Sequence, residues 1–325
     1  MDWIDEVGKI SETREGSSSN VITRINVFPS SYEEVSEIIK FAIKNNLKIY
    51  PFGKNSNHIG PNVNADIGLS TEKLNRIIDI SEEDLYVTAQ AGVDFQYLSN
   101  VLKSHGLQIP FLYSGTTGGF ASTNLPSILT WYGYPKDWLL GAKIATGLGE
   151  IIKSGSKTTK FSSGYKIWKA LSGALGWLGI YLEINIRLIP YQNFHFEEIK
   201  NYEEYFKRRP LGIISVKEGN NIKIYAVIRG EGKIFEIPKK YDASIVTVRG
   251  KEIDVLKEIE GDYCVAYYGN GLIRCNGIDV EGLRSQFVVI KERNCASNCF
   301  GYNYEAISML KNSLDPNGIF FNIFQ

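Results

Sequence analysis

The chain has 325 residues, 43% hydrophobic and 22% charged, a composition that fits a globular protein with room for two domains. Lys plus Arg equals Asp plus Glu at 36 each, so charge gives no case for a nucleic-acid partner. No apolar run approaches the roughly 20 residues that cross a bilayer, and the acidic, mixed opening MDWIDEVGKISETREG is unlike a signal peptide. A cytoplasmic location is expected, peripheral to a membrane only through partners.

The first eighteen residues read as loosely ordered. Residues 21–28 read as a strand that Pro29 breaks. Ser31 and Glu34 form a capping box, and Val35, Ile38, Ile39, Ala42 and Ile43 follow at helical spacing. Strands are expected at 47–51, 65–70 and 85–91. Asp94 is placed to cap a helix carrying Phe95, Leu98, Val101 and Leu102, stopped by Gly106. Residues 131–138 are aromatic and turn-like, and 139–145 with Ile151 and Ile152 read as a hairpin. Residues 180–189 alternate apolar and polar, which predicts a strand with one buried face. Pro190 ends it. Beyond it, 213–216 and 222–228 flank a hairpin turn, 253–259 reads as a helix, 264–268 and Val246 as strands, and 304–325 as a helix stopped near Asp315.

Three glycine-rich stretches interrupt the first half: PFGKNSN at 51–57, SGTTGGFASTN at 114–124 and SGALGWLG at 172–179. Glycine permits close backbone approach, Ser and Thr add donors, and successive free N–H groups form nests for anionic oxygens. The central stretch reads as a loop around which the rest is organised, and three such loops suggest a long phosphorylated ligand. Lys54 and Asn55 follow Gly53, so this is neither a dinucleotide fingerprint nor a Walker loop. All four cysteines, Cys264, Cys275, Cys295 and Cys299, lie in the last quarter without a C-x-x-C pair. Disulfides or buried thiols are expected there rather than a metal. His58, His105 and His195 are scattered, so no histidine metal centre is expected.

In order, these features resemble the FAD-binding domain of the p-cresol methylhydroxylase and vanillyl-alcohol oxidase superfamily. Residues 51–57 are similar to its first pyrophosphate loop, and Thr116-Thr117-Gly118-Gly119 to Asn124 to its T-x-G-G-x-x-x-x-N. Tyr132-Gly133 with Lys136-Asp137 resembles its Y-G-x-x-R/K-D turn, KFSSGY at 160–165 its G-Y segment, and 172–180 its last glycine turn. KFSSGYKIWKALSGALGWLGIYLEINIRLIP and LKNSLDPNGIF bring the small FAD-binding subunit of glycolate oxidase closer still. Against the family pattern, Lys54 and Asn55 replace glycines, Lys166 replaces an Asp and Trp177 a Thr. His58, near where some relatives attach flavin covalently, reads as a hydrogen-bonded loop histidine.

The resemblance implies an α+β protein. It consists of a two-subdomain FAD-binding domain at 1–190, a smaller β-rich cap at 191–303, and a C-terminal segment at 304–325 returning to the first domain. It implies FAD held by Pro51, Phe52, Gly53, Lys54, Asn55, Ser56, Asn57, Ser114, Gly115, Thr116, Thr117, Gly118, Gly119, Ser122, Asn124, Asp137, Gly164, Tyr165, Gly179 and Ile180. It implies oxidation of a 2-hydroxy acid, with a larger FAD-binding subunit and an iron–sulfur subunit as partners. Two alternatives stay open: a non-catalytic partner of a larger redox complex, and a stand-alone alcohol or sugar oxidase. No catalytic base stands out. Tyr132, Tyr165, Asn270 and Arg274 are candidates whose residue types equally suit structure.

Overall fold

The structure is a computed structural model that describes every residue except 1–2, 19, 57, 158–163, 302–304 and 325. Its first layer is a β-α-β unit. Strand β1 (Val21–Phe28) leads through helix α1 (Tyr32–Lys44) to β2 (Ile49–Phe52), and both strands pair in parallel with β3 (Val63–Ser70) between them. Ser31 caps α1 by accepting the Glu34 N–H at 3.1 Å. The Glu34 carboxylate reaches back to the N–H of Ser30 rather than of Ser31, shifting the capping box by one residue. Ile38 and Ile39 of α1 are fully buried; such burial contributes about 1.5–3 kcal/mol per side chain. The opening residues are more ordered than their composition suggests, because Glu12–Arg14 forms a short strand on the free edge of β1.

A second, antiparallel sheet holds β4 (Ile77–Ser81), β5 (Tyr86–Gln90), β6 (Leu139–Ala145), β7 (Ile151–Gly155) and β8 (Ile180–Arg187), in the order β7-β6-β8-β5-β4. Strand β8 is central, and burial does not follow the expected two-residue period. Tyr181 and Asn185 are buried and Glu183 is half-buried. Their polar atoms are paired, which makes burial on both faces tolerable. Glu183 accepts from Lys143 and from the Tyr32 hydroxyl, while Asn185 accepts from Thr88 and donates to the Ser156 carbonyl. Helices α2 (Phe95–Ser104) and α3 (Thr117–Thr123) lie between β5 and β6 in sequence.

The rest of the chain adds a seven-stranded antiparallel sheet of β9 (Phe194–Ile199), β10 (Gly212–Glu218), β11 (Asn221–Arg229), β12 (Ala243–Val246), β13 (Tyr263–Tyr267), β14 (Leu272–Asn276) and β15 (Val288–Lys291). Its order is β9-β11-β10-β13-β14-β12-β15, with helix α4 (Glu252–Glu258) on one face. Cys264 and Cys275 face each other across β13 and β14 and form a disulfide; a second joins Cys295 to Cys299. Helix α5 (Glu305–Leu314) then returns the chain to the first half, where Ile319, Phe320, Phe321 and Ile323 are buried in its two cores. Among the described residues, no helix is long and apolar enough to cross a membrane.

Candidate FAD cleft

Strand β2 delivers the chain into residues 53–56, the loop before α3 carries 114–116, and the turn at 172–179 runs into β8. These three stretches meet at one cleft, lined by Pro51, Phe52, Gly53, Lys54, Asn55, Ser56, Gly115, Thr116, Gly118, Gly119, Ser122, Gly179 and Ile180. The approach is close. A Cβ on Gly53 would lie 2.3 Å from Thr116 Oγ1, and one on Gly176 would lie 2.5 Å from Pro51 Cγ.

The central stretch is not loop throughout. Thr116 accepts the Gly119 N–H at 3.2 Å and caps α3, which buries Phe120 and Ala121 in the core. Gly118 has no positive φ; its small size lets α3 sit on the end of β5, where an added Cβ would be 3.0 Å from both the Cβ and the carbonyl oxygen of Ala91. The N–H groups of Thr117 and Gly118 donate to Val93 and Ala91. Those of Gly53, Lys54, Ser56, Gly115 and Thr116 have no acceptor among the described residues. Donors thus remain on both walls of the cleft, the arrangement that suits a diphosphate.

Lys54 does not point a free charge into this space; its ammonium pairs with Asp94 at 2.8 Å. That pair, together with the Tyr97 N–H, holds the Asp94 carboxyl below its usual range, while Asp94 also caps α2. The His58 ring is fully engaged, with Nδ1 3.1 Å from the Tyr50 hydroxyl and Nε2 2.8 Å from the Pro61 carbonyl oxygen. That carbonyl requires a proton on Nε2, so Nδ1 accepts from Tyr50. Burial lowers the imidazole pKa and keeps the ring neutral.

The remaining nominated residues lie outside the lining. Thr117 is buried and donates to the Gln90 carbonyl; Asn124, at φ 51°, accepts the Lys136 N–H. Asp137 faces Lys169 at 3.6 Å. Ser114 and Gly164 are not in the lining, and Tyr165 is 90% exposed. Asn57 falls outside the described residues, as do residues 160–163 of the G-Y segment.

The lining also includes Tyr50, Thr71, Ala91, Tyr113, Leu175, Gly176 and Tyr181, which motif spacing did not nominate. Tyr50 precedes the first loop and Tyr113 the second, so adjacency was the available signal. Burial pushes the Tyr113 phenol up to about 12. Of the candidate bases, Arg274 is buried against Glu292. Tyr132 accepts from the Gln192 amide; the main-chain carbonyl of Asn270 accepts from Tyr134, and its side-chain nitrogen is buried with no partner among the described residues. No cluster of metal-ligating side chains occurs among the described residues.

Residues 23–155, which carry the first two glycine-rich walls of this cleft, match the family model described as an FAD binding domain. The chain is related to D-lactate dehydrogenases and glycolate oxidase subunits. It is 32% identical over 209 residues to the D-lactate dehydrogenase of Archaeoglobus fulgidus, covering 58% of this chain and 47% of that protein. To the D-2-hydroxyglutarate dehydrogenase of Xanthomonas citri pv. viticola it is 32% identical over 167 residues, 49% of this chain and 35% of the relative. To the glycolate oxidase subunit GlcD of Bacillus subtilis it is 29% identical over 171 residues, 50% of this chain and 36% of the relative. The matched part thus spans about half or less of these relatives' length.

Proposed function

We propose that the chain is the FAD-binding subunit of a 2-hydroxy-acid-oxidising complex of the glycolate oxidase kind, working beside a larger FAD-binding subunit and an iron–sulfur subunit. The observation that carries this reading is the pair of N–H-bearing walls, 53–56 and 115–116, facing one cleft. These residues would hold the diphosphate, with Gly179 and Ile180 lining the far side. Bound FAD supplies hydride acceptance from a carbon that bears a hydroxyl. The protein's own contribution is to bind and orient: α3 and β5 keep the second wall rigid, and neutral His58 with Tyr50 keeps one end free of charge.

A second reading, a non-catalytic FAD-binding subunit, is favoured by one observation: none of the candidates Tyr132, Tyr165, Asn270 and Arg274 lines the cleft, and Arg274 is held by Glu292. Anaerobic mixing of the purified protein with glycolate, lactate or 2-hydroxyglutarate separates the two. Bleaching of this chain's own flavin by one of these acids, beyond that of the larger subunit prepared without it, once partner subunits are co-expressed supports the first reading. Rapid bleaching of the isolated chain would make it self-sufficient, and no bleaching of its own flavin in either state supports the second.

A further inference from the structure

One buried ion pair ties the C-terminal segment to two walls of the cleft. Lys311, on α5, donates to the Asp315 carboxylate at 2.5 Å and to the Trp177 carbonyl oxygen at 2.6 Å. Asp315 in turn accepts the N–H groups of Ile319 at 2.8 Å and Phe320 at 2.9 Å. The resulting turn aligns the next residues with Ile49, whose N–H donates to Ile319 and whose carbonyl accepts from Phe321, both at 2.8 Å. Ile49 opens β2, the strand that feeds the first loop. Trp177 lies in the third loop, between cleft residues Gly176 and Gly179. It is 3% exposed, packed 4.9 Å from Phe324 between ring centres, with the Lys311 ammonium 5.1 Å from its own ring centre.

We propose that Lys311 and Asp315 are positioning residues for the cleft: their ion pair sets the spacing between the first and third loops and through it the affinity for FAD. The proposal rests on the cleft being the FAD site and adds what fixes its width. Asp315 alone would suffice to cap the turn at 319–320. The ammonium does a separate job, because it carries that turn across to the Trp177 carbonyl. Since Gly176 and Pro51 are already in near contact, a shift of either loop changes the cleft directly.

Removing one partner leaves an uncompensated buried charge and destabilises the fold for that reason alone. The discriminating protein is therefore the full chain carrying Lys311→Met with Asp315→Asn, which removes both charges and keeps side-chain volume. Three measurements compare it with wild type: fluorescence titration of apo-protein with FAD, thermal melting of apo-protein, and hydrogen–deuterium exchange of peptides covering 49–56 and 171–180. The expected result is melting close to wild type, an FAD Kd raised by about tenfold or more, and faster exchange confined to those two peptides. A wild-type Kd with unchanged exchange overturns the proposal. Exchange that rises evenly through the domain as melting temperature falls also overturns it, since the pair is then a general stabiliser. Wild-type protein that takes up no FAD overturns the cleft reading and the proposal together; a failure confined to the double variant's expected loss overturns the proposal alone.

Discussion

Gly53 is the sharpest test of how the two donor walls meet. A methyl group there would sit 2.3 Å from Oγ1 and 2.9 Å from Cγ2 of Thr116. Thr116 must move, and its cap on α3 goes with it; losing such a cap costs about 1 kcal/mol. Overpacking by one methyl costs about 1–3 kcal/mol more, so Gly53→Ala should lose about 2–4 kcal/mol along with FAD retention. Thr116→Ala alone should lose only the cap, about 1 kcal/mol. Combining the two removes the colliding atoms and leaves the Thr116 Cβ at 3.1 Å. The double variant should therefore be more stable than Gly53→Ala by about 1–2 kcal/mol, a coupling typical of touching side chains. Urea melts of the four proteins measure the cycle, and flavin absorbance after gel filtration reports retention. Strict additivity, or Gly53→Ala with wild-type stability, would refute the close approach.

Gly118→Val should destabilise the protein as well as lose flavin, because its side chain is driven into Ala91 rather than into the ligand; a melt unchanged from wild type would contradict this. Flavin should leave on acid precipitation, giving a yellow supernatant, since both His58 ring nitrogens are already bonded; flavin fluorescence on a denaturing gel would count against it. His58 is held neutral, with its folded pKa below the unfolded value of about 6.5. Its contribution to stability is thus fully present above that pH and is lost as pH falls toward and through the folded pKa. The stability gap between wild type and His58→Gln should narrow accordingly in melts taken from pH 7.5 down to about 5. Reducing the Cys264–Cys275 bridge, which spans a separation of 11 residues, should cost about 3 kcal/mol by loop entropy; coincident urea melts with and without reductant would exclude that.

Local signals carried much of the first half. Residues 21–28, 139–145 and the Asp94 cap were legible because period, breaker and capping residue agreed. The central stretch misled because its glycines suggested an open loop, whereas Thr116 caps a helix and Gly118 lets that helix sit on the end of β5. Strands β4, β9, β14 and β15 were missed. They are short, and β4, β9 and β15 lie at sheet edges where alternation is weak. The burial of both faces of β8 depended on partners far apart in sequence, Tyr32, Thr88 and Lys143, which no local pattern announces. In the cleft, glycine-rich segments were legible as such. Tyr113 and Tyr181 were not, because a tyrosine that lines a site and one that packs a core look alike in sequence.

The pairing of Ile49 with residues 319–321 has a consequence for biosynthesis. At about 10 residues per second, roughly half a minute separates the synthesis of the two partners. Through that interval β2 has β3 on one side and its other edge uncovered, presenting the Ile49 N–H and carbonyl, while Pro51, which has no N–H, limits how far another strand can pair along it. The first layer is thus made well before the segment that closes it. A nascent chain stalled short of residue 319 carries an open sheet edge beside an unfinished cofactor loop, which makes such chains substrates for chaperones rather than holders of flavin.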